Sequence, residues 1–183
     1  YSDTFKIIFV GSVTDRKNPK IIIESLETID GDVSLEIIGQ TPNLKYLKEL
    51  NNLISSSKYS ERITMTPFIK AEELISKYAS ANLFILPSKS EGLGRVIIEA
   101  QSTACPVLVS SNTGMVDLII ENETGYIFEN NNKNDLSNKI QHIMNNYESA
   151  LQTGLNSKDF VKENQSVANF EFGYKKLIDL VST

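Results

Sequence analysis

Leu83-Phe84-Ile85-Leu86-Pro87-Ser88-Lys89-Ser90-Glu91-Gly92-Leu93-Gly94-Arg95-Val96-Ile97-Ile98-Glu99-Ala100 passes from an unbroken apolar run, through a polar loop with two glycines, into helical spacing. Four apolar residues without polar alternation read as a strand buried on both faces. Pro87 closes the strand, and a helix is expected over Leu93–Ala104. The same change of period recurs on both sides of this stretch. Strands are expected at Phe5–Val10, Ser34–Ile38, Arg62–Met65, Val107–Val109 and Tyr126–Phe128. Helices are expected at Lys20–Ile29, Leu44–Ser56, Glu72–Ala79 and Asn134–Asn146, with a helical turn at Met115–Ile120 and two further helical segments at the end. In Leu44–Ser56 the apolar side is Leu44, Leu47, Leu50 and Ile54.

Non-alternating strands separated by helices imply a parallel sheet covered on both faces. The expected fold is therefore α/β, a doubly wound, Rossmann-like sheet of about six strands. Its 183 residues suffice for one such domain, at 40% hydrophobic and 22% charged. The Asn-rich stretch Asn130–Asn134 reads as a turn and not as a domain boundary.

Composition narrows the function. A net charge of −5 with dispersed Lys and Arg argues against nucleic acid as a partner. No apolar run approaches the roughly 20 residues of a membrane span. Tyr1–Lys6 leads directly into a strand, so no signal peptide is expected. The single cysteine, Cys105, excludes an internal disulfide and a multi-cysteine metal site. It reads as a buried structural thiol in a cytoplasmic setting. Asn-x-Ser/Thr matches at Asn122 and Asn164 carry little weight without a secretion signal. His142, the only histidine, reads as structural or surface-exposed.

In a doubly wound sheet, ligands bind beyond the carboxyl ends of the strands. The loop after the first strand, Gly11-Ser12-Val13-Thr14-Asp15-Arg16-Lys17-Asn18, carries one glycine and two adjacent cations before a helix. Such a loop suits a phosphate or diphosphate and reads equally as a solvated Arg-Lys pair. It is neither GxGxxG nor GxxxxGK[S/T]. The loop after Leu86 is richer. Gly92 and Gly94 let a ligand approach backbone amides at the positive end of a helix dipole, beside Glu91. Glu99 lies two turns further on, and paired carboxylates suit sugar hydroxyls. The plainer reading makes Arg95 and Glu99 a surface pair, and Glu91 a favourable charge at a helix start.

The pair Glu91 and Glu99, separated by seven residues after Pro87-Ser88, resembles the EX7E signature of glycosyltransferase family 4. Gly11 to Lys17 resembles the family's first phosphate loop. Ile63–Ile69, Ala79-Ser80-Ala81-Asn82, Ala100–Val107, Gly114–Ile119 and Gly125-Tyr126-Ile127 follow in the family's order. The resemblance spans roughly Phe5 to Asn146.

It implies the GT-B architecture, two Rossmann-like domains facing a cleft. Residues 1–183 would be the C-terminal donor-binding domain, with about 150–183 a C-terminal helical extension and the N-terminal acceptor domain absent. By this resemblance Glu99 holds the ribose hydroxyls and Glu91 contacts the donor sugar. Gly11, Gly92, Leu93 and Gly94 bring backbone close to sugar and diphosphate. Lys17, with Arg16, neutralises the leaving diphosphate, so Lys17 and Glu91 are the expected catalytic pair. Phe68 and Ile69 lie against the base. The donor is a UDP- or GDP-linked sugar, no metal or other cofactor is expected, and the acceptor is a glycan or lipid-linked glycan. Anomeric configuration is retained without a covalent carboxylate intermediate. Peripheral association of the full enzyme with the cytoplasmic face of the membrane is compatible with the family, and the fragment alone is expected to be inactive.

Four positions depart from the pattern. Ser12 stands in place of an arginine, Pro67 and Ala104 in place of glycines, and Asp117 in place of a glutamate. The change at Ser12 removes one expected phosphate contact. Competing readings are a nucleotide-sugar epimerase on the same plan, a degenerate nucleotide-binding domain, and a receiver-like signalling domain. The last would need an aspartate after the third strand, where Met65-Thr66-Pro67 has none.

Overall fold

The structure is a computed structural model, and it describes residues 4–92, 94–114 and 116–164. Leu93, Met115 and the aromatic run Phe170, Phe172 and Tyr174 lie outside the described residues. Six strands, β1 Phe5–Val10, β2 Val33–Ile38, β3 Ile63–Thr66, β4 Leu83–Leu86, β5 Val107–Ser110 and β6 Tyr126–Phe128, form one parallel sheet in the order β3-β2-β1-β4-β5-β6. The helices are α1 Pro19–Leu26, α2 Leu44–Ser56, α3 Ala71–Ser80, α4 Arg95–Ser102, α5 Lys133–Asn145 and α6 Tyr147–Asn164. α1 packs on α2 and α5, while α3 and α6 pack on α4, as a doubly wound sheet requires.

β1, β4, α2 and β6 occupy the residues expected of them. The central strands β4 and β5 are buried throughout, which is why their sequences show no alternation. β2, second from one edge as β5 is from the other, does alternate, because one of its faces is only partly covered. Its Ser34 and Glu36 are half-buried, and Glu36 accepts two 2.9 Å hydrogen bonds from Lys77 of α3.

Helix ends differ from expectation for local reasons. α1 stops at Leu26, where the Thr28 and Ile29 amides turn back to the Ser25 and Leu26 carbonyls. Ile29 remains buried, so its apolar character reports a core contact and not helix. In α2, Asn43 caps the first turn by accepting from the Lys45 and Tyr46 amides. Leu44 therefore sits at the exposed tip, at 79%, and the buried residues are Tyr46 and Leu50. The expected turn at Met115–Ile120 is a 3₁₀ turn over Val116–Leu118. α6 runs from Tyr147 to Asn164, the last described residue, and residues 165–183 lie outside the described residues.

α4 is shorter than expected at both ends. Gly94 precedes its first residue, and beyond Ser102 the chain enters a Schellman turn. There the Ala104 amide donates to the Gln101 carbonyl and the Cys105 amide to the Ala100 carbonyl. The residue that closes this turn is left-handed, and here it is Ala104, at φ 62°. An L-residue with a Cβ is disfavoured there by roughly 1 kcal/mol. α6 presses against the same corner, since a Cβ on Gly154 would stand 2.2 Å from the Ala104 carbonyl oxygen.

Two outcomes are expected. Ala104→Gly should raise the melting temperature by roughly 2–4 °C, and Gly154→Ala should lower it. A melting curve that leaves Ala104→Gly at or below the parent value would contradict the strain at this corner. Burial pushes the Cys105 thiol from its ordinary 9.0 up to about 12. Its neutral form is favoured by folding, so stability is present below pH about 9 and declines as pH rises from there toward about 12. An aromatic disulfide reagent at pH 8 should react with Cys105 only at the rate of unfolding.

Candidate functional site

β1 and β4 are neighbours in the sheet, but their following connections leave in opposite directions. A crevice opens above such a switch point, between the loop after Val10 and the loop after Leu86. The first loop turns at Thr14, whose carbonyl accepts from the Asn18 amide at 2.9 Å and whose hydroxyl accepts from the Lys17 amide at 3.3 Å. Asn18 takes a left-handed conformation and Pro19 starts α1. This turn aims Lys17 across the crevice.

Lys17 Nζ forms an ion pair and hydrogen bond with Glu91 Oε2 from the second loop. The two side chains are only 12% and 9% exposed. Ser88, fully buried, donates to the same oxygen at 3.4 Å. Arg16, at 54% exposure, holds its guanidinium 3.7 Å from Glu91 Oε1 and donates to the Ser90 carbonyl at 2.9 Å. Lys89 returns the connection, its amide donating to the Arg16 carbonyl and its ammonium pairing with Asp15, both at 2.8 Å.

A third loop, after β5, supports Glu91 from behind. The Gly114 amide donates to the Glu91 carbonyl at 2.7 Å, and Glu91 forms a β-bridge with Thr113. The approach is close enough that a Cβ on Gly114 would lie 2.1 Å from the Gly92 carbonyl oxygen. Asn112 and Asn130 each donate to the Lys89 carbonyl at 3.4 Å, and Ser110 holds Asn130 at 3.0 Å. The Asn-rich turn thus helps to fix the loop that carries Glu91. Gly92 is different, being exposed with no atom within 4 Å of an added Cβ.

The structure therefore brings together Gly11, Arg16, Lys17, Glu91 and Gly92. Gly11 donates to the Ile38 carbonyl and lies beside the Lys17 stem. Ser12 is exposed at the rim, and Gly94 is buried over Leu86 and Ile97. Phe68 is 74% exposed beyond β3, while Ile69 packs partly on the core. Both follow β3, whereas the ion-pair cluster is carried by the loops after β1 and β4. Glu99 also stands apart, exposed on α4, sharing no hydrogen bond or ion pair with Glu91, Lys17, Arg16 or Arg95. Its Oε2 accepts a 3.3 Å hydrogen bond from the Tyr78 hydroxyl of α3. The surface pair Arg95–Glu99 is not formed, and Glu91 is a buried ion-pair partner and not a free charge at a helix start. His142 is exposed on α5.

Sequence reasoning missed Ser88, Thr113, Gly114, Asn112, Asn130 and Tyr78. The loop after β5 follows a strand's carboxyl end, which was a usable signal for Thr113 and Gly114. Tyr78 gave none, because its partner lies 21 residues away in another helix.

Residues 1–160 match the family described as glycosyl transferases group 1. The chain belongs to this family. It is 31% identical over 151 residues to the capsular polysaccharide biosynthesis glycosyltransferase CapM of Staphylococcus aureus, covering 79% of this chain and 38% of CapM. In structure it is similar to Anabaena HepE, solved in complex with UDP and glucose, with a TM-score of 0.87, 20% identity, and 98% and 49% of the two chains covered. It is likewise similar to the C-terminal domain of a group 1 glycosyl transferase, LpcC of Francisella tularensis, with a TM-score of 0.82, 22% identity, and 89% and 87% covered. The fold is that of the C-terminal half of a GT-B glycosyltransferase. The chain spans about two fifths of the length of the curated relatives it matches.

The two glycines of this site should behave oppositely. Gly114→Ala forces backbone against backbone and should destabilise the fold by about 1–3 kcal/mol. Gly92→Ala points into open space and should leave stability within about 0.5 kcal/mol of the parent. Denaturant titration of the two variants checks this, and equal effects would refute the loop packing described.

Proposed function

We propose that this chain is the donor domain of a retaining glycosyltransferase of family 4, with Glu91 and Glu99 as its EX7E pair. The observation that carries the reading is the Lys17–Glu91 pair, held by three loops at the switch point beside the open face of Gly92. The enzyme would move a sugar, of hexosyl type, from a nucleoside-diphosphate sugar linked to UDP or GDP. CapM's place in capsular polysaccharide biosynthesis and HepE's complex with UDP and glucose support that donor and a growing polysaccharide or glycolipid acceptor. An N-terminal acceptor domain would belong to the rest of the protein, so the chain alone would not transfer sugar. The setting would be cytoplasmic, at the inner membrane face where the acceptor is lipid-linked. Among the described residues no helix is long and apolar enough to cross a membrane.

In this reading the Glu99 carboxylate accepts the ribose hydroxyls, and Phe68 and Ile69 flank the base. The backbone at Gly11, Gly92, Leu93 and Gly94 approaches sugar and diphosphate. Glu91 accepts from the sugar hydroxyls without attacking the anomeric carbon. As the bond between that carbon and the diphosphate oxygen breaks, its electron pair stays on the diphosphate. Lys17, held at the crevice by Glu91, shares its charge with the diphosphate and opposes the developing charge without a metal. Arg16, reaching the same loop, supplies the second cation that Ser12 does not.

The test is a titration with UDP, GDP, ADP and their sugars, followed by melting temperature and calorimetry. One nucleoside diphosphate should stabilise the chain selectively. Lys17→Ala and Glu99→Ala should each weaken it about tenfold or more, because hydrogen bonds to charged groups contribute about 1.5–3 kcal/mol. A folded parent chain that none of these ligands stabilises would overturn the reading.

A further inference from the structure

The role of Glu99 poses a physical difficulty. Its side chain is long and exposed, with no ion pair among the described residues. A free glutamate samples many rotamers, and ordering it on a ligand opposes binding. Its one hydrogen bond comes from Tyr78, which is the opposite kind of group. Tyr78 is 1% exposed, fixed in α3, with its ring edge-on to Phe84 at a centroid distance of 5.6 Å. The phenol oxygen therefore has a fixed place, and its hydrogen-bond partner there is Glu99 Oε2. Oε1 accepts nothing from the described residues.

We infer that Tyr78 is a positioning residue, whose buried hydroxyl holds the Glu99 carboxylate ready to accept two neighbouring ribose hydroxyls. This rests on the reading of Glu99 given above and deepens it. A donor to one oxygen restricts the rotamers of the carboxylate, while the remaining lone pairs stay free for a vicinal diol. Both groups open onto a groove of about 480 Å³ between α3 and α4, walled by Leu74, Ile75, Ser102 and Thr103. One carboxylate in a groove with Leu74 and Ile75 on one side and the hydroxyls of Ser102 and Thr103 on the other suits the sugar of a nucleoside. Burial, and then the charge of Glu99, raise the phenol's pKa, so Tyr78 stays protonated and a donor across the working pH range.

The experiment compares UDP with 2′-deoxy-UDP, and GDP with 2′-deoxy-GDP, by calorimetry on the parent chain, Tyr78→Phe, Glu99→Ala and Glu99→Asp. The parent should prefer the ribonucleotide. Tyr78→Phe retains the ring against Phe84 and should weaken ribonucleotide binding roughly three- to tenfold, the worth of one hydrogen bond. Its affinity for the deoxynucleotide should hardly change, so the preference collapses toward that of Glu99→Ala. A purely structural tyrosine would lower both affinities or neither. Glu99→Asp withdraws the carboxylate from both Tyr78 and the ligand and should lose the preference as Glu99→Ala does. Tyr78→Met, measured alongside, keeps a long apolar side chain without a donor and should lose the preference as Tyr78→Phe does, which keeps the question decidable if Tyr78→Phe does not fold. Preference intact in Tyr78→Phe or in Tyr78→Met, but lost in Glu99→Ala, overturns the positioning role and leaves the donor-domain reading standing. Preference intact in Glu99→Ala overturns both.

Discussion

Parallel pairing of β1 with β4 is the constraint from which the rest follows. It joins the two halves of the sheet through a short register, Ile7 with Leu83 and Ile8 with Phe84. Asn82 extends the contact below it, its amide donating to the Lys6 carbonyl at 2.8 Å and its side chain accepting from the Lys6 amide at 2.7 Å. Above it the ladder between the two strands stops, because the two connections depart on opposite sides, and the loops meet only through contacts such as that of the Lys89 amide with the Arg16 carbonyl. The polar groups freed there belong to the loops that carry Lys17 and Glu91. The crevice is thus a consequence of topology, and only its chemistry is left to the side chains.

That chemistry is a charge pair with little access to water. Moving a lysine and a glutamate out of water is unfavourable, and the pair persists only where each ion has fixed partners. Here Ser88 and Arg16 supply them to the Glu91 carboxylate, Gly114 fixes its backbone, and Glu91 in turn holds Lys17. The lysine is consequently oriented and largely dehydrated before any ligand arrives. In the proposed reaction an incoming diphosphate meets a cation already largely out of water, and Glu91 is the group that gives way or shares.

Much of this was legible in the sequence, and the reasons are specific. β1, β4 and β6 are apolar runs bounded by turn-forming or polar residues, so their limits are local properties. α2 begins at an asparagine cap, also a local property. The ends of α1 and α4 are set by turn hydrogen bonds that propensity does not encode, and Leu44 was misjudged because periodicity ignores where a helix begins relative to the sheet. Lys17 and Glu91 were legible because a doubly wound sheet gathers the loops after its strands. Their pairing was not, and neither was the grip of Tyr78 on Glu99, since both are made by distant segments. The roles assigned to these residues came from family resemblance, which spacing alone left open against plain surface pairs.

α6 gives the domain an unequal mechanics. Tyr147, at its start, packs edge-on against Phe5 of β1 and receives the side-chain amide of Asn82 just before β4. Further along, Gly154 sits on the corner leading to β5, and Thr153 meets the Tyr126 hydroxyl of β6 and the Asn122 carbonyl. One helix therefore straps the feet of four strands drawn from both halves of the sheet. The foot is thus tied across both halves by one helix, whereas the rim is tied loop to loop by side chains. Loosening the strap would let the halves splay about the β1–β4 seam and widen the rim, changing affinity from the far end of the sheet without altering a single ligand-facing residue.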